Sequence, residues 1–513
     1  MDSEKDHSKK KRFSALLSLF KPTKSSAKST TTSITSTSEK HDSGAAPVNP
    51  TVSYGAVPEK PRGLPSIFEA VRDRNVDQIR EVLQARPYDL YLTDDQGMTP
   101  LALAILYGSL TVAKLLVSSG AGVMPEDNND ESLLCLAVQS KSDNIELISW
   151  LAGVSPQSGD RADFLNARDL TGHAALHYAV GRNLREVAGI LLSNGADPNL
   201  PARYAPGNSP PGSSPIDMAT PLMIAADLPK TVSSDDAAAM VRLLLAYGAA
   251  TNIPERQHGT YPLHHATQRN DPAVIDLLID GPTGRPDRRG PVDIGTIAIP
   301  NADPHMQGST PLMHASALAH HRAMRRLLRR GADPNRVNHF GETALHWAAG
   351  GHNDDGPNLD SPRSGSSSDD GNERLSPYAI RMLVLGDDPS PPPYTYDARD
   401  FDTDDFPPKP GAWPTCDVNA RTKLGSTALH AAAWLGRVNN TKTLLELGAD
   451  TQIVAEGIHV DTIHRVRGTA ADYAKLKGHF EVAELIEAHE RELRRRRRME
   501  RETAGAVEAG GNA

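Results

Sequence analysis

Little in this sequence supports covalent chemistry. Cysteine occurs twice in 513 residues, at Cys135 and Cys416. Two cysteines so far apart make neither a disulfide framework nor a zinc site, and they fit a reducing compartment. Aromatic residues supply 5% of the chain and hydrophobic residues 38%, which is lean for a globular enzyme of this length. No apolar run reaches the roughly 18 residues that span a bilayer. The N-terminal stretch has no secretory apolar core of useful length, so a soluble chain is expected. No charge of one sign prevails strongly. Lys and Arg number 55 against 64 Asp and Glu, a formal net charge of −9 that gives no overall pull toward nucleic acid. The phrases of catalytic sites are missing as well: there is no P-loop, GxSxG, HExxH or kinase set, and no GxGxxG followed by an acidic residue. Neither an enzymatic activity nor a cofactor or metal is expected.

What the chain does contain is repetition. Thr427-Ala428-Leu429-His430-Ala431-Ala432 is followed, nineteen residues after its start, by Glu446-Leu447-Gly448-Ala449-Asp450. The pair returns as Thr310-Pro311-Leu312 with Gly331-Ala332-Asp333-Pro334-Asn335, and as Ala175-Leu176-His177 with Gly195-Ala196-Asp197-Pro198-Asn199. Starts fall at Thr99, Ser132, Ala174, Thr220, Tyr261, Thr310, Thr343, Thr427 and Thr469. The spacing is 33 residues at its tightest, from Thr99 to Ser132 and from Thr310 to Thr343. Thr at a helix N-cap accepts a bond from an orphan N–H, and Pro at the next position has no N–H to leave unpaired. Leu and Ala then face the neighbouring unit. Gly120, Gly195, Gly248, Gly331 and Gly448 stand where a second helix needs a left-handed cap.

These phrases resemble the ankyrin repeat family over residues of about 64–489, insertions excepted. The match is fullest at Thr310, Thr427 and Thr469; Ser132-Leu133-Leu134-Cys135 is a degenerate start. The resemblance implies an all-α ankyrin solenoid that binds other proteins as a scaffold or adaptor. It implies that His177, His264, His346 and His430 bond neighbouring backbone or hydroxyls and tie repeats together. It also implies that partners meet hairpin tips and inner helix faces. Here those positions include Arg336, Asn338, His339 and Phe340 at one tip, and Arg421, Thr422 and Lys423 at another.

The organisation expected is a disordered Ser/Thr/Lys-rich arm at 1–62, a capping repeat at 64–96 and repeats over 97–349. An insertion at 350–374 splits the repeat at Thr343, whose second helix resumes over 375–386. A Pro-rich acidic linker at 387–416 precedes the last two repeats at 417–489. A basic helical extension and an unstructured tail, from 503, close the chain at 490–513. Whether the array runs on across the two breaks stays open.

Some motifs lie outside the repeats. Pro391, Pro392, Pro393 and Tyr394 form a PPxY pattern of the kind that WW domains bind, so an adaptor or substrate of a HECT-type ubiquitin ligase is one alternative. The other reading of this tract is a stiff spacer. Phe13, Leu16, Leu17 and Phe20 make one helical stripe behind Lys9-Lys10-Lys11-Arg12. Peripheral membrane contact, a protein dock and a transient helix without a role all remain open for it. Ser14 sits in a basophilic-kinase context. Arg494–Arg498 could serve a nuclear factor, but neighbouring glutamates dilute its field, so nucleic acid is not favoured as a partner. A monomer in the cytoplasm or nucleus is expected.

Overall fold

The computed structural model describes residues 65–123, 132–140, 144–154, 160–169, 172–202, 219–255, 259–281, 308–350, 369–386, 413–458 and 465–510. All of them belong to one unit, Arg62–Ala513. The N-terminal stripe, Ser14 and the PPxY motif lie outside the described residues.

Ten successive helix pairs make up the described chain. The first is α1 (Ile67–Arg72) with α2 (Val76–Ala85). Next come α3 (Pro100–Leu106) with α4 (Leu110–Ser118), and α5 (Leu133–Gln139) with α6 (Ile145–Gly153). After a short α7 (Arg161–Leu165) follow α8 (Ala175–Gly181) with α9 (Arg185–Ser193), and α10 (Pro221–Ala226) with α11 (Ser234–Ala246). Then stand α12 (Pro262–Arg269) with α13 (Pro272–Asp280), and α14 (Pro311–Ala317) with α15 (His321–Arg329). The last pairs are α16 (Ala344–Gly350) with α17 (Asp369–Leu385), α18 (Ala428–Trp434) with α19 (Val438–Glu446), and α20 (Ala470–Leu476) with α21 (Phe480–Gly510).

Each first helix packs on the first helix of the next pair, from α1 on α3 through to α18 on α20. The second helices pack in the same order from α6 through α9, α11, α13, α15, α17 and α19 to α21. The stack is therefore continuous across both breaks, because α16 meets α18 and α17 meets α19. The sandwiching shows in α16, where Ala344, Leu345, His346, Trp347, Ala348 and Ala349 are all buried. A buried Leu contributes about 2 kcal/mol, and Ala lets helix axes approach closely.

The second helices end in a common way. Gly448 N–H donates to the Leu445 carbonyl and Ala449 N–H to that of Leu444, the two bonds of a Schellman cap. Gly120, Gly195, Gly248 and Gly331 do the same, and all five have φ between +88° and +106°. The Ala after each Gly is buried, which explains the Gly-Ala phrase.

Several local expectations give way. Helix α17 begins at Asp369 and runs through Pro377, earlier than the sequence suggests. The end of the acidic linker is packed: Trp413 is buried, its Nε1–H donates to the Met382 carbonyl at 3.1 Å, and Cys416 N–H donates to that of Leu383. Helix α21 continues to Gly510, past the expected start of an unstructured tail. Pairs one turn apart support its exposed part: Arg494–Glu490, Arg496–Glu492 and Arg498–Glu502. The chain is also not purely helical. Strands β1 (Ala455–Ile458) and β2 (Arg465–Gly468) form an antiparallel hairpin with Ala455 opposite Gly468.

The residues between α10 and α11 fold around one side chain. Arg269 is buried and donates from Nε to Asp271 Oδ2, from Nη1 to the Leu228 and Pro229 carbonyls, and from Nη2 to those of Val232 and Ser233. All five guanidinium N–H groups are thus used. Replacing it should leave several buried acceptors bare. Arg269→Ala is expected to cost about 3 kcal/mol, with Arg269→Lys recovering little, as read by urea unfolding.

Candidate functional site

The first helices open with a polar ladder that is buried at Thr220, Thr310, Thr343 and Thr427 and half-buried at Thr99 and Thr469. Thr99, Thr220, Thr310 and Thr469 accept from the N–H groups of Ala102, Met223, Met313 and Asp472, as caps should. Thr343 and Thr427 depart from that pattern: their hydroxyls lie 2.9 Å from Nδ1 of His346 and His430. The same Nδ1 atoms accept from the N–H of Thr343 and Thr427. An Nδ1 that accepts places the ring proton on Nε2. His346 Nε2–H then reaches the Ser426 carbonyl, and His264 Nε2–H reaches that of Ser309, each at 3.2 Å and in the next repeat. In His177 and His430, Nε2 has no well-aligned acceptor, although the Leu200 and Gly468 backbones still favour the charged form. Burial dominates throughout. It pushes His264 down to about 3 and His177 and His430 to about 4, and it also lowers His346. The ladder is neutral near pH 7.

The hairpins divide into parts that shape the backbone and parts that face solvent. In Asp333-Pro334-Asn335, the Asp333 carboxylate accepts from Asn335 N–H, and Asn335 Nδ2–H donates to the Thr415 carbonyl of the next repeat. Asn199 Nδ2–H likewise donates to the Gly248 carbonyl, while Asn199 Oδ1 accepts from Ala250 N–H and Asn419 Oδ1 from Asp450 N–H. Asn338 was expected to meet partners; the structure buries it instead. Its Oδ1 accepts from Phe340 and Glu342 N–H, and its Nδ2–H donates to Glu342 Oε2. Thr422 closes the next turn by accepting from Ser426 N–H. Both residues fix the tip and are spent in doing so.

Arg336 is half-buried, whereas His339, Phe340, Arg421 and Lys423 are exposed. Three exposed apolar residues escape the sequence pattern: Val337, Leu424 and Val454. The tips are joined by their backbones. Lys423 N–H donates to the Phe340 carbonyl at 2.8 Å, and Glu456 N–H to that of Leu424 at 2.8 Å. Gly341 permits this approach, with φ +80°; a Cβ there would stand 2.8 Å from Lys423 N. Nothing in residue spacing signals that junction.

Both cysteines are free and buried, and burial pushes the Cys416 thiol up to about 12. Among the described residues, no group of three or more His, Cys, Asp or Glu could hold a metal ion. No helix among them is long and apolar enough to cross a membrane.

Comparison with known proteins agrees with this architecture. A family model for ankyrin repeats in three copies matches residues 67–160 and 288–355, and one for the single ankyrin repeat matches 171–203 and 424–455. The chain thus carries ankyrin repeats over these residues. It is similar to NF-kappa-B inhibitor delta of Mus musculus, at 26% identity over 275 residues, covering 52% of this chain and 77% of that protein. It is also similar to the E3 ubiquitin-protein ligase KEG of Arabidopsis thaliana, at 23% over 318 residues, which is 56% of this chain but 18% of the ligase. The B-cell lymphoma 3 protein of Homo sapiens is 34% identical over 112 residues, 22% of this chain and 23% of that protein. The crystal structure of the Bcl-3 ankyrin repeat domain superposes with a TM-score of 0.38 at 25% identity, covering 52% of this chain and 99% of that one.

The histidine ladder has a consequence for pH. An unfolded histidine titrates near 6.5, so between pH 6.5 and about 4 the unfolded chain binds protons that the folded ladder refuses. Stability should therefore fall with acidification, on the order of 1 kcal/mol per pH unit for each histidine. Urea midpoints at pH 7.5, 6.5 and 5.5 test this, and His264→Gln should flatten the slope. A midpoint that holds steady over this range would contradict the assignment.

Proposed function

We propose that the chain is a non-enzymatic scaffold or adaptor that binds other proteins through its hairpin tips. Ankyrin arrays generally serve protein–protein interaction. The observation that carries the reading is the exposure of large apolar side chains on hydrogen-bonded tips: Val337 52%, Phe340 40%, Leu424 49% and Val454 40%. Large apolar groups gathered outside a core mark surfaces that a partner covers. The frame beneath them is rigid, since Asn338, Gly341 and Thr422 are committed to the turns. Binding would then order few groups and lose little entropy. A cytoplasmic or nuclear setting goes with this role. Quantitative affinity capture with the full chain should recover a discrete set of proteins. That set should shrink for a Val337→Ser, Leu424→Ser double variant that retains the wild-type circular dichroism. An unchanged set would reject the tips as the binding surface.

A second reading concerns Pro391, Pro392 and Tyr394. Gly386 and Trp413 flank the segment that carries them, and Trp413 N–H donates to the Gly386 carbonyl at 3.2 Å. The stack is thus joined between the two ends of that segment, and a WW domain could take the motif without parting the repeats. An isolated WW domain of a HECT-type ligase should bind the full chain and lose it on Tyr394→Ala; no binding by the wild type removes this reading.

A further inference from the structure

We infer that the exposed residues of the last three hairpins within 336–342, 421–425 and 453–456, with Arg467, form a recognition site for an acidic, apolar peptide segment in extended form, a specificity that rests on the tip-binding reading above. Three observations converge. The first is spacing. The bonds from Lys423 to Phe340 and from Glu456 to Leu424 join each tip directly to the next, and the helix pairs that carry them stack at helix-packing distance, about 9 Å apart. Three successive hairpins then span about 18 Å, the length of about five extended residues. The second is the apolar content: Val337 and Phe340 on one tip, Leu424 on the next and Val454 on the third. Side chains on alternate positions of an extended segment would meet them, while water is released from both surfaces.

The third is charge, and it selects the occupant. Arg336, Arg421 and Lys423 stand on these same tips, and Arg467 is exposed on β2. None of these four cations enters an ion pair among the described residues. Within residues 336–342, 421–425 and 453–456, Glu456 is the exposed carboxylate. Glu342 is committed inward, accepting from Asn338 Nδ2–H and Trp347 Nε1–H. The described tip residues thus carry a net positive charge on a chain whose total is −9; Arg467 stands opposite Glu456 in the strand register, and the exposed Asp333, Asp417 and Asp450 lie at the start of each hairpin, before its tip. A basic or neutral segment could use the apolar groups alone. An acidic one adds pairing at the rim and faster encounter, and like charge repels basic competitors.

The test is peptide selection against the full chain. Short random peptides displayed on phage should enrich sequences in which Asp or Glu alternate with Leu, Ile, Phe or Tyr. Their affinity should fall about tenfold or more for Leu424→Ser and for Lys423→Glu, and it should weaken as salt rises. Both side chains are exposed, so the variants should keep the wild-type circular dichroism and urea midpoint. Enrichment of basic or uncharged peptides that are still lost in both variants would overturn the acidic preference and leave tip binding standing. Peptides indifferent to both variants, or no enrichment at all, would overturn the site itself.

Discussion

A helix pair of this size cannot cover its own apolar faces, and that shortfall governs the whole structure. Helix α16 has seven residues, and six of them are buried only because α14, α17 and α18 surround it. No single pair would hold together alone; each is stable as a member of the stack. The same logic makes the array tolerant of insertion. Residues 351–368 separate α16 from α17 in sequence and 387–412 separate α17 from α18, yet α16 meets α18 and α17 meets α19. Closing a longer loop costs only about 0.6 kcal/mol per doubling of its length, less than one buried leucine contributes.

Apolar burial alone would let repeats slide past one another. Directional bonds prevent this. Histidine Nε2 reaches the carbonyl before the next repeat's cap, as from His346 to Ser426. Asn335 and Asn199 reach the turn after the next pair's second helix or the segment that follows it. On the far side, Asn440 donates to the Ala349 carbonyl, and Arg437 to that of Gly350. The bonds to Ala349 and Gly350 satisfy carbonyls that a helix end would otherwise leave bare, and the others satisfy carbonyls in the turns and segments between helices. These are the positions at which the repeat phrase uses polar residues, and burial keeps the histidines uncharged there.

That internal economy separates frame from surface within a single hairpin. Asn338 and Glu342 are neighbours of Val337 and Phe340, yet the first two are spent on the turn while the latter two face solvent. A contact surface built on such short, bonded turns holds its shape without a partner. Binding specificity then rests on a handful of side chains, and the scaffold can stay constant while they change.

The helix-pair architecture was legible in the sequence because its signals are local. Thr or Ser before Pro-Leu, and Gly-Ala after a Val/Leu stripe, report one helix start and one helix stop each, whatever surrounds them. The histidines were expected to tie repeats together; Nε2 reaches the next repeat at His264 and His346, whereas at His177 and His430 it has no aligned acceptor. Continuity of the stack was not legible, since it depends on α16 meeting α18 across a gap of 77 residues between Gly350 and Ala428. Nor was the fate of Asn338, or the pairing of Phe340 with Lys423. Sequence spacing placed polar residues at the tips, but which of them turn inward depends on backbone bonds made between repeats. Local helix punctuation is written residue by residue; exposure is settled by what packs alongside, and only the tertiary structure supplies that.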